Sequence, residues 1–360
     1  MSKAVCPPRR RWETFDHRGR PFVRFDLRVR DDRVVRFSVA ERIADRYEVV
    51  GVLARGGGGV ILVAQDLKTQ HRVLIKALSE YETGRVDLEQ PLDDFVESLR
   101  RSRHHLQTER RLLVQLRNKG CNAVPHPNDF VFDYNAVLAG PHRTFSGQEW
   151  ELDDAGLLNS EPYLVMQHVA GVSLKDVLEN YYRGGLEEAV ALRIIDQVAR
   201  VIELLQQPLQ LSNGQTWNLV YQDLKPGNIL VDEYGHATVL DFGGCQLEIE
   251  GTLVLHGSHS PGYCAPECGQ GMPVSQAADV YGLGCTLYCL LSGENPRRML
   301  PKDRPPGSPP AVHLDASRLS ARCSAEVVAL IARAVDWDIE TRFPSAREFR
   351  AALAGILASK

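Results

Sequence analysis

The stretch from residue 221 to 243 reads YQDLKPGNILVDEYGHATVLDFG and decides the fold of the chain. In it, Asp223 precedes Lys225 by two residues and Asn228 by five. Two short apolar runs around an Asp/Gly turn predict a β-hairpin, which would hold Asn228 close to Asp241. An amide oxygen and a carboxylate placed in this way suit Mg²⁺, which prefers hard oxygen ligands. Asp223 stands just upstream, where it could accept a proton from a hydroxyl.

The composition is that of an ordinary soluble chain. It has 360 residues, of which 44% are hydrophobic and 24% charged, and a formal net charge of −4. This length is enough for roughly two domains with cores of their own. No apolar run reaches the roughly 18 residues of a membrane-spanning helix, and the N-terminus lacks the apolar core of a secretory signal. We therefore expect a cytoplasmic protein without a transmembrane segment.

Cysteine spacing raises the question of a metal site. Of the eight cysteines, two pairs are four residues apart, Cys264/Cys268 and Cys285/Cys289. Such a pair could hold a metal on one helix face. The second pair lies in an apolar helical run, where free cysteine behaves as a small hydrophobic side chain. We therefore favour core packing and a reducing compartment.

The first 40 residues are basic and contain two alternating segments. Their apolar positions are Val23, Phe25, Leu27 and Val29, and after a polar turn Val35, Phe37 and Val39. A period of two predicts a half-buried hairpin. A docking or regulatory element is one interpretation. We favour a ribbon that covers a sheet edge and leaves a solvated basic face.

A glycine-rich turn, Gly56-Gly57-Gly58-Gly59, separates two strand-like segments, and a third strand follows at residues 73–78. Such a turn lets backbone N–H groups approach phosphates without Cβ interference, although plain flexible turns share the composition. On the third strand, Lys76 shares an apolar face with Leu74 and Leu78. A lysine on such a face is costly unless an anionic group receives it.

Glu109 is the candidate partner for Lys76. Leucines occupy the positions −3, +3, +4 and +7 relative to Glu109, which places the carboxylate on the apolar face of a predicted helix. Each of the two charges thus accounts for the other. A surface position at the helix edge is the alternative for Glu109, and Glu97 is a lower-ranked partner.

DLKPGNIL followed by DFG resembles the catalytic and metal-binding loops of protein kinases, and the position of Lys225 is that of the serine/threonine class. APE at 265–267 and ETRF at 340–343 resemble further motifs of this family. The resemblance runs from about residue 45 to 357, in the family's order, and is strongest to the eukaryotic-type kinases of bacteria.

The resemblance implies an α+β, bilobal fold. Its N-lobe would be an antiparallel β-sheet with one main helix, and its C-lobe would be mostly helical. The predicted boundaries are 1–44 for the hairpin extension, 45–170 for the ATP-binding N-lobe and 171–360 for the catalytic and substrate-binding C-lobe.

The same resemblance implies ATP and Mg²⁺ as cofactors and proteins with Ser or Thr hydroxyls as substrates, autophosphorylation included, with no nucleic-acid partner. Asp223 would be the catalytic base and Lys225 would stabilise the transferring phosphoryl group. Lys76, held by Glu109, would grip the α/β-phosphates, while Asn228 and Asp241 would hold Mg²⁺. The other nucleotide-binding positions would be Leu53, Gly56, Gly57, Gly58, Gly59, Ile61, Leu74, the gatekeeper Met166, Gln167, Val169 and Leu230.

Supporting contacts follow from the resemblance as well. Ser260 would contact the catalytic Asp and Lys, Asp279 would fix the catalytic-loop backbone, and Arg342 would form a buried ion pair with Glu267. Residues 135–161 read as a loop insertion between two strands, and residues 295–310 as an extended Pro-rich segment.

The sequence also departs from the family pattern. Ala54 replaces the first glycine of the loop, Leu74 the usual alanine, and Tyr221-Gln222 the His-Arg before the catalytic Asp. Because Gln222 replaces the Arg that precedes the catalytic Asp, the resemblance is to the non-RD kinases. A neutral glutamine cannot make the charge-assisted contact that an arginine offers a phosphate, so we predict activity without phosphorylation of the activation segment.

Three alternatives stay open. A pseudokinase or ATP-binding scaffold would keep the fold without the chemistry, and a small-molecule phosphotransferase would share the metal and base. Lys225, Glu267 and Arg342 favour a protein kinase over the second. A regulatory binding protein built on the N-terminal hairpin is the third.

Overall fold

A computed structural model describes residues 12–17, 19–28, 34–56, 59–78, 82–83, 92–133, 144–145, 148–149, 161–210, 216–249, 252–255, 260–268, 274–300, 312 and 314–359. The chain forms two compact units, one from Met1–Arg111 and His126–His168, the other from Leu112–Pro125 and Val169–Lys360. Among the described residues, no helix is both long and apolar enough to cross a membrane. The chain contains both sheets and helices, as the predicted α+β class requires.

The first unit is built on a six-stranded antiparallel sheet of order β4-β5-β6-β7-β12-β9. Its strands are β4 (Arg42–Ile43), β5 (Tyr47–Gly56), β6 (Gly59–Asp66), β7 (Arg72–Ala77), β9 (Pro127–Asp133) and β12 (Glu161–Gln167). Side chains alternate between the two faces of a strand, so Ile75 and Ala77 on β7 face away from Lys76. Helix α1 runs from Leu92 to Asn118.

The predicted N-terminal hairpin is confirmed as β2 (Arg20–Arg28) and β3 (Val34–Ala40), with Phe25 opposite Phe37. It belongs to a four-stranded sheet that also contains β1 (Glu13–His17) and β8 (Glu82–Thr83). Its buried side chains share one apolar cluster with Leu62 and Ile75 of the six-stranded sheet. The hairpin therefore covers a face of that sheet and not the predicted edge, because Leu62 and Ile75 belong to its central strands, β6 and β7.

The insertion predicted at residues 135–161 lies between β9 and β12. It contains a two-stranded hairpin, β10 (Thr144–Phe145) and β11 (Gln148–Glu149). Glu161, the last residue of the predicted insertion, instead begins β12, and the rest of the insertion lies outside the described residues.

Five α-helices lie wholly within the described residues of the second unit: α2 (Leu174–Asn180), α3 (Glu188–Gln206), α4 (Ala277–Ser292), α5 (Ala325–Ala334) and α6 (Ala346–Ala358). Helix α4 is buried from Ala277 to Leu291, so it forms the centre of this unit. Helix α4 packs closely against the loop that contains Leu224, because a Cβ on Gly282 would lie only 3.2 Å from the Leu224 side chain.

Two small sheets flank these helices. One has the order β13-β16-β17, with strands β13 (Val172–Ser173), β16 (Ile229–Val231) and β17 (Ala237–Val239). The other has the order β14-β15-β18-β19, with strands β14 (Leu209–Gln210), β15 (Thr216–Val220), β18 (Gln246–Ile249) and β19 (Thr252–Leu255).

The prediction of an extended segment at residues 295–310 is wrong for the first part of that segment. Pro296–Met299 forms a short 3₁₀ helix, since Asn295 caps it by accepting a hydrogen bond from Arg297 N and proline fits the first helical position. Residues 301–310 lie outside the described residues.

The prediction that cysteines pack in the core is confirmed for both spaced pairs. Cys264, Cys268, Cys285 and Cys289 are buried, and burial raises the thiol pKa of Cys289 to about 11. Within the described ranges, no group of three or more His, Cys, Asp or Glu side chains could hold a metal.

Candidate active site

Lys76 and Glu109 form the ion pair that the sequence predicts. The Lys76 Nζ lies 2.7 Å from Glu109 Oε2, and the two side chains are 3% and 2% exposed. The surface alternative for Glu109 is therefore wrong. The side chain of Glu97 lies outside the described residues, although its backbone belongs to α1.

The catalytic-loop residues converge on one carboxylate. Asp223 Oδ2 accepts hydrogen bonds from Lys225 Nζ at 2.6 Å and from Asn228 Nδ2 at 3.0 Å. Lys225 Nζ also donates to Ser260 Oγ at 2.6 Å, which confirms the predicted contact of Ser260 with the lysine. The other oxygen, Asp223 Oδ1, is buried and accepts no hydrogen bond from the described residues. An unpartnered carboxylate oxygen is costly in a folded protein and is suited to accept an incoming hydroxyl.

The predicted hairpin brings Asn228 and Asp241 together at the backbone. Strands β16 and β17 pair Ile229 with Val239, and Leu240 N donates to Asn228 O at 2.8 Å. Both amide protons of Asn228 are directed at Asp223, at its carbonyl and carboxylate oxygens, which leaves the Asn228 oxygen as the acceptor. An amide oxygen and a carboxylate fit the ligand preference of Mg²⁺.

Asp241 has a left-handed backbone with φ 60°. This conformation costs a non-glycine residue about 1 kcal/mol, so the surroundings must hold it. The next residue, Phe242, packs edge-on against Tyr221 with ring centroids 5.4 Å apart. The Tyr221 hydroxyl donates to Leu240 O, and burial raises its pKa so that the hydroxyl stays protonated.

Asp279 on α4 fixes the backbone immediately before Asp223, as predicted. Its carboxylate accepts hydrogen bonds from Gln222 N at 2.9 Å, Tyr221 N at 3.1 Å and Gln206 Nε2 at 3.0 Å. Burial raises the pKa of Asp279 to about 6, against these bonds, which favour the charged form. Gln222 has φ 63°, and this left-handed turn directs its N–H toward α4.

The side chain of Gln222 makes a contact that the sequence did not predict. Its Nε2 donates to Gln246 Oε1 at 2.5 Å, and both residues are buried. Gln246 begins β18, which pairs with β15 next to Val220. Short strands that pair across a long stretch of sequence leave no local pattern. The sequence therefore did not predict the hydrogen bond between Gln222 and Gln246.

The predicted ion pair of Arg342 is confirmed. Its two terminal nitrogens lie 2.9 and 2.8 Å from the two oxygens of Glu267. The Arg342 side chain is 0% exposed, whereas that of Glu267 is 26% exposed, so the pair is buried on one side.

The glycine-rich turn is described only in part. Gly56 and Gly59 face each other at the ends of β5 and β6, while Gly57 and Gly58 lie outside the described residues. Gly59 has φ 135°, and a Cβ there would clash with Ala77 O. Close packing on β7 therefore requires glycine at this position, apart from any role with phosphates.

The remaining predicted nucleotide positions are of two kinds. Leu74 and Met166 are buried and lie opposite each other in the pairing of β7 with β12. Leu53, Ile61, Gln167, Val169 and Leu230 are exposed or half-buried. Gln167 N donates to His126 O, so this N–H is already engaged within the protein. The burial of Met166 also suits core filling.

Residues 150–350 match the protein kinase domain family, and the chain belongs to that family. The chain is 27% identical to the serine/threonine-protein kinase PknB of Mycolicibacterium smegmatis, over 88% of this chain and 44% of that protein. The PknB of Mycobacterium tuberculosis is 26% identical over the same shares. The serine/threonine-protein kinase PrkC of Bacillus subtilis is 27% identical over 72% of this chain and 32% of that protein. The resemblance to bacterial serine/threonine kinases is thus confirmed, and the chain spans less than half the length of these relatives.

Proposed function

We propose that this chain is an active serine/threonine protein kinase that transfers the γ-phosphate of ATP to Ser or Thr hydroxyls of proteins. The observation that carries the proposal is the buried, unpartnered Asp223 Oδ1 beside a lysine that contacts the same carboxylate. A scaffold without chemistry has no use for such an oxygen, which costs stability.

In this proposal, Asp223 Oδ1 accepts the hydroxyl proton of the substrate. Lys225, held between Asp223 and Ser260, places its positive charge beside that hydroxyl, where it would stabilise the negatively charged oxygens of the transferring phosphoryl group. Asn228 orients Asp223 through its amide protons. Positioning and charge neutralisation account for most of the catalysis of phosphoryl transfer.

Lys76 would bind the α/β-phosphates of ATP, and Glu109 would keep its ammonium in place. Asn228 and Asp241 would hold Mg²⁺. When bound, this ion would neutralise phosphate charge. The backbone of Gly56 and Gly59, the carbonyl of Gln167 and the apolar positions named above would contribute to nucleotide binding. Gln222 makes the enzyme a non-RD kinase.

The test is incubation of the purified chain with labelled ATP, Mg²⁺ and a mixture of protein substrates, followed by phosphosite mapping by mass spectrometry. Asp223→Asn keeps the side-chain shape but removes the proton acceptor, so it should slow phosphorylation by roughly 10²–10⁴-fold. The matched control is Asp45→Asn, because the Asp45 carboxylate is 95% exposed and lies in the first unit.

Incorporation into serine or threonine that is lost only in Asp223→Asn supports the proposal. Absence of incorporation in the parent chain would favour a scaffold. Equal rates for the parent and Asp223→Asn would show that another group accepts the proton.

A further inference from the structure

The second unit contains a basic pocket, which we define by Lys175, Arg183 and Arg298 around a cavity of about 410 Å³. Lys175 lies on α2, Arg183 lies between α2 and α3, and Arg298 lies in the 3₁₀ helix after α4. Glu179 is the only acidic side chain among the lining residues that the structure describes. The pocket therefore has an excess of positive charge.

The three cations of the basic pocket are available to a ligand. All three residues are exposed, and none lies within ion-pair distance of a carboxylate in the described part of the chain. Arg183 donates from Nε to the carbonyl of Glu179 at 3.0 Å, a bond that leaves its charge unneutralised. By contrast, the buried Arg342 has both terminal nitrogens on a carboxylate.

Close packing fixes the walls that carry these charges. A Cβ on Gly293 would clash with Arg183 O, and one on Gly262 would clash with the backbone of Arg297. Tyr263 OH donates to Asn295 Oδ1 at 3.2 Å, and the same oxygen accepts Arg297 N. The backbone next to each arginine is thus held in position, which lowers the ordering cost of binding.

The basic pocket adjoins the proposed phosphoacceptor site. One of its lining residues, Pro226, follows Lys225 directly. Another, Tyr263, donates its N–H to Ser260 O at 3.1 Å, and Ser260 Oγ accepts from Lys225 Nζ. A peptide with its hydroxyl at Asp223 therefore reaches the pocket within about five residues, at roughly 3.3 Å per extended residue.

We propose that the basic pocket binds an anionic side chain of the protein substrate, so that the enzyme prefers phosphoacceptors with an acidic or phosphorylated neighbour. This inference rests on the proposed kinase activity. Its physical basis is charge complementarity, which selects partners more than it adds affinity. The anion can be the carboxylate of Asp or Glu, or the phosphate of a residue that another kinase has modified.

The experiment uses serine peptides in which each position within about five residues of the phosphoacceptor is replaced in turn by Ala, Lys, Asp or phosphoserine. The readout is the ratio of kcat/KM for the charged peptide to kcat/KM for its alanine counterpart. Asp at one or more positions should raise this ratio roughly three- to tenfold, and Lys should lower it. The Asp and phosphoserine peptides show which anion the pocket prefers. The preference should weaken as ionic strength rises.

Charge reversal locates the effect. Lys175→Glu and Arg298→Glu should abolish the preference for Asp, and together they should favour Lys at the same position. Arg193→Glu is the matched control, because Arg193 is an exposed arginine on α3 outside the pocket. If a charge-reversal variant folds poorly, the same kcat/KM ratio can be measured for Arg298→Gln, which should reduce the preference for Asp. A general loss of activity cancels in this ratio, because both peptides are measured with the same enzyme.

The outcomes separate the two proposals. Phosphorylation without any preference for an anion, or a preference that survives in the Lys175→Glu/Arg298→Glu variant, overturns the assignment of the pocket and leaves the kinase activity standing. No phosphorylation of any peptide or protein overturns the proposed function, and the pocket assignment with it.

Discussion

Lys76 and Glu109 are two charges that the fold places almost completely out of water, and neither could stay there alone. Their atoms lie 2.7 Å apart. Removal of one partner from such a pair typically costs about 3–5 kcal/mol, because the other charge stays buried and unpaired. Each of the two charges can therefore stay buried only while the other is present.

This dependence predicts the outcome of a double-mutant cycle. Lys76→Met and Glu109→Gln should each impair phosphoryl transfer, and the double variant should be little worse than either single variant. The measurements are kcat/KM with a protein substrate and urea unfolding of the same variants. The exposed pair Arg318–Glu294 is the control and should contribute roughly 0–1 kcal/mol to the free energy of unfolding. Additive losses at Lys76 and Glu109 would point to another partner, with Glu97 the first to test.

Elements were predictable from the sequence where a periodic pattern and its partner lay close together. The hairpin of β16 and β17 follows from two apolar runs around Asp232 and Gly235. Strand β7 and the face of α1 that carries Glu109 follow in the same way from periods of 2 and 3.6.

The remaining elements depended on contacts between distant segments. The sheet of β14, β15, β18 and β19 joins short strands with weak patterns, and the Gln222–Gln246 bond follows from it. The N-terminal hairpin was predicted as a hairpin, but its place on the sheet face depends on the shared core. The three cations of the basic pocket come from three separate segments.

The contact of Asp279 on α4 with the backbone of Tyr221 and Gln222 predicts how the stability of the fold depends on pH. The folded pKa of Asp279 is about 6, above the usual 3.8. The folded state therefore binds this proton more tightly than the unfolded state, so the stabilisation from this group is present below about pH 4 and is lost as the pH rises through about 6.

Comparison with Asp279→Asn isolates this effect, because asparagine does not titrate. The variant should be destabilised by about 1–3 kcal/mol, since its amide group would face the donors Tyr221 N and Gln222 N. From about pH 7.5 to about pH 5, the difference between the parent chain and Asp279→Asn should grow by about 1 kcal/mol. Urea unfolding at both pH values measures it, with Asp45→Asn as the exposed control. A difference that shrinks toward pH 5 would mean that Asp279 is stabilised as the anion.

For the molecule as a whole, Gln222 bears on how activity is switched on. In kinases with Arg at this position, a phosphate on the activation segment neutralises the guanidinium. Here the Gln222 amide is neutral and already bonded to Gln246, whose Oε1 also accepts Val274 N at 3.4 Å. This bond links the residue before the catalytic Asp to the segment after Asp241 without any phosphate.

The chain should therefore be active without prior phosphorylation of its activation segment. Thr252 and Ser258 are two hydroxyl residues of this segment that could be phosphorylated. Phosphatase-treated enzyme and a Thr252→Ala/Ser258→Ala variant should match untreated protein in the initial rate on an exogenous substrate. Gln222→Arg is the informative counterpart, because the neutral Gln246 amide cannot balance the charge of a buried guanidinium, so activity should then depend on phosphorylation. The opposite result is that phosphatase treatment lowers the rate of the parent chain and rephosphorylation restores it. In that case a basic residue elsewhere binds the phosphate, and the Gln222–Gln246 hydrogen bond does not order the segment.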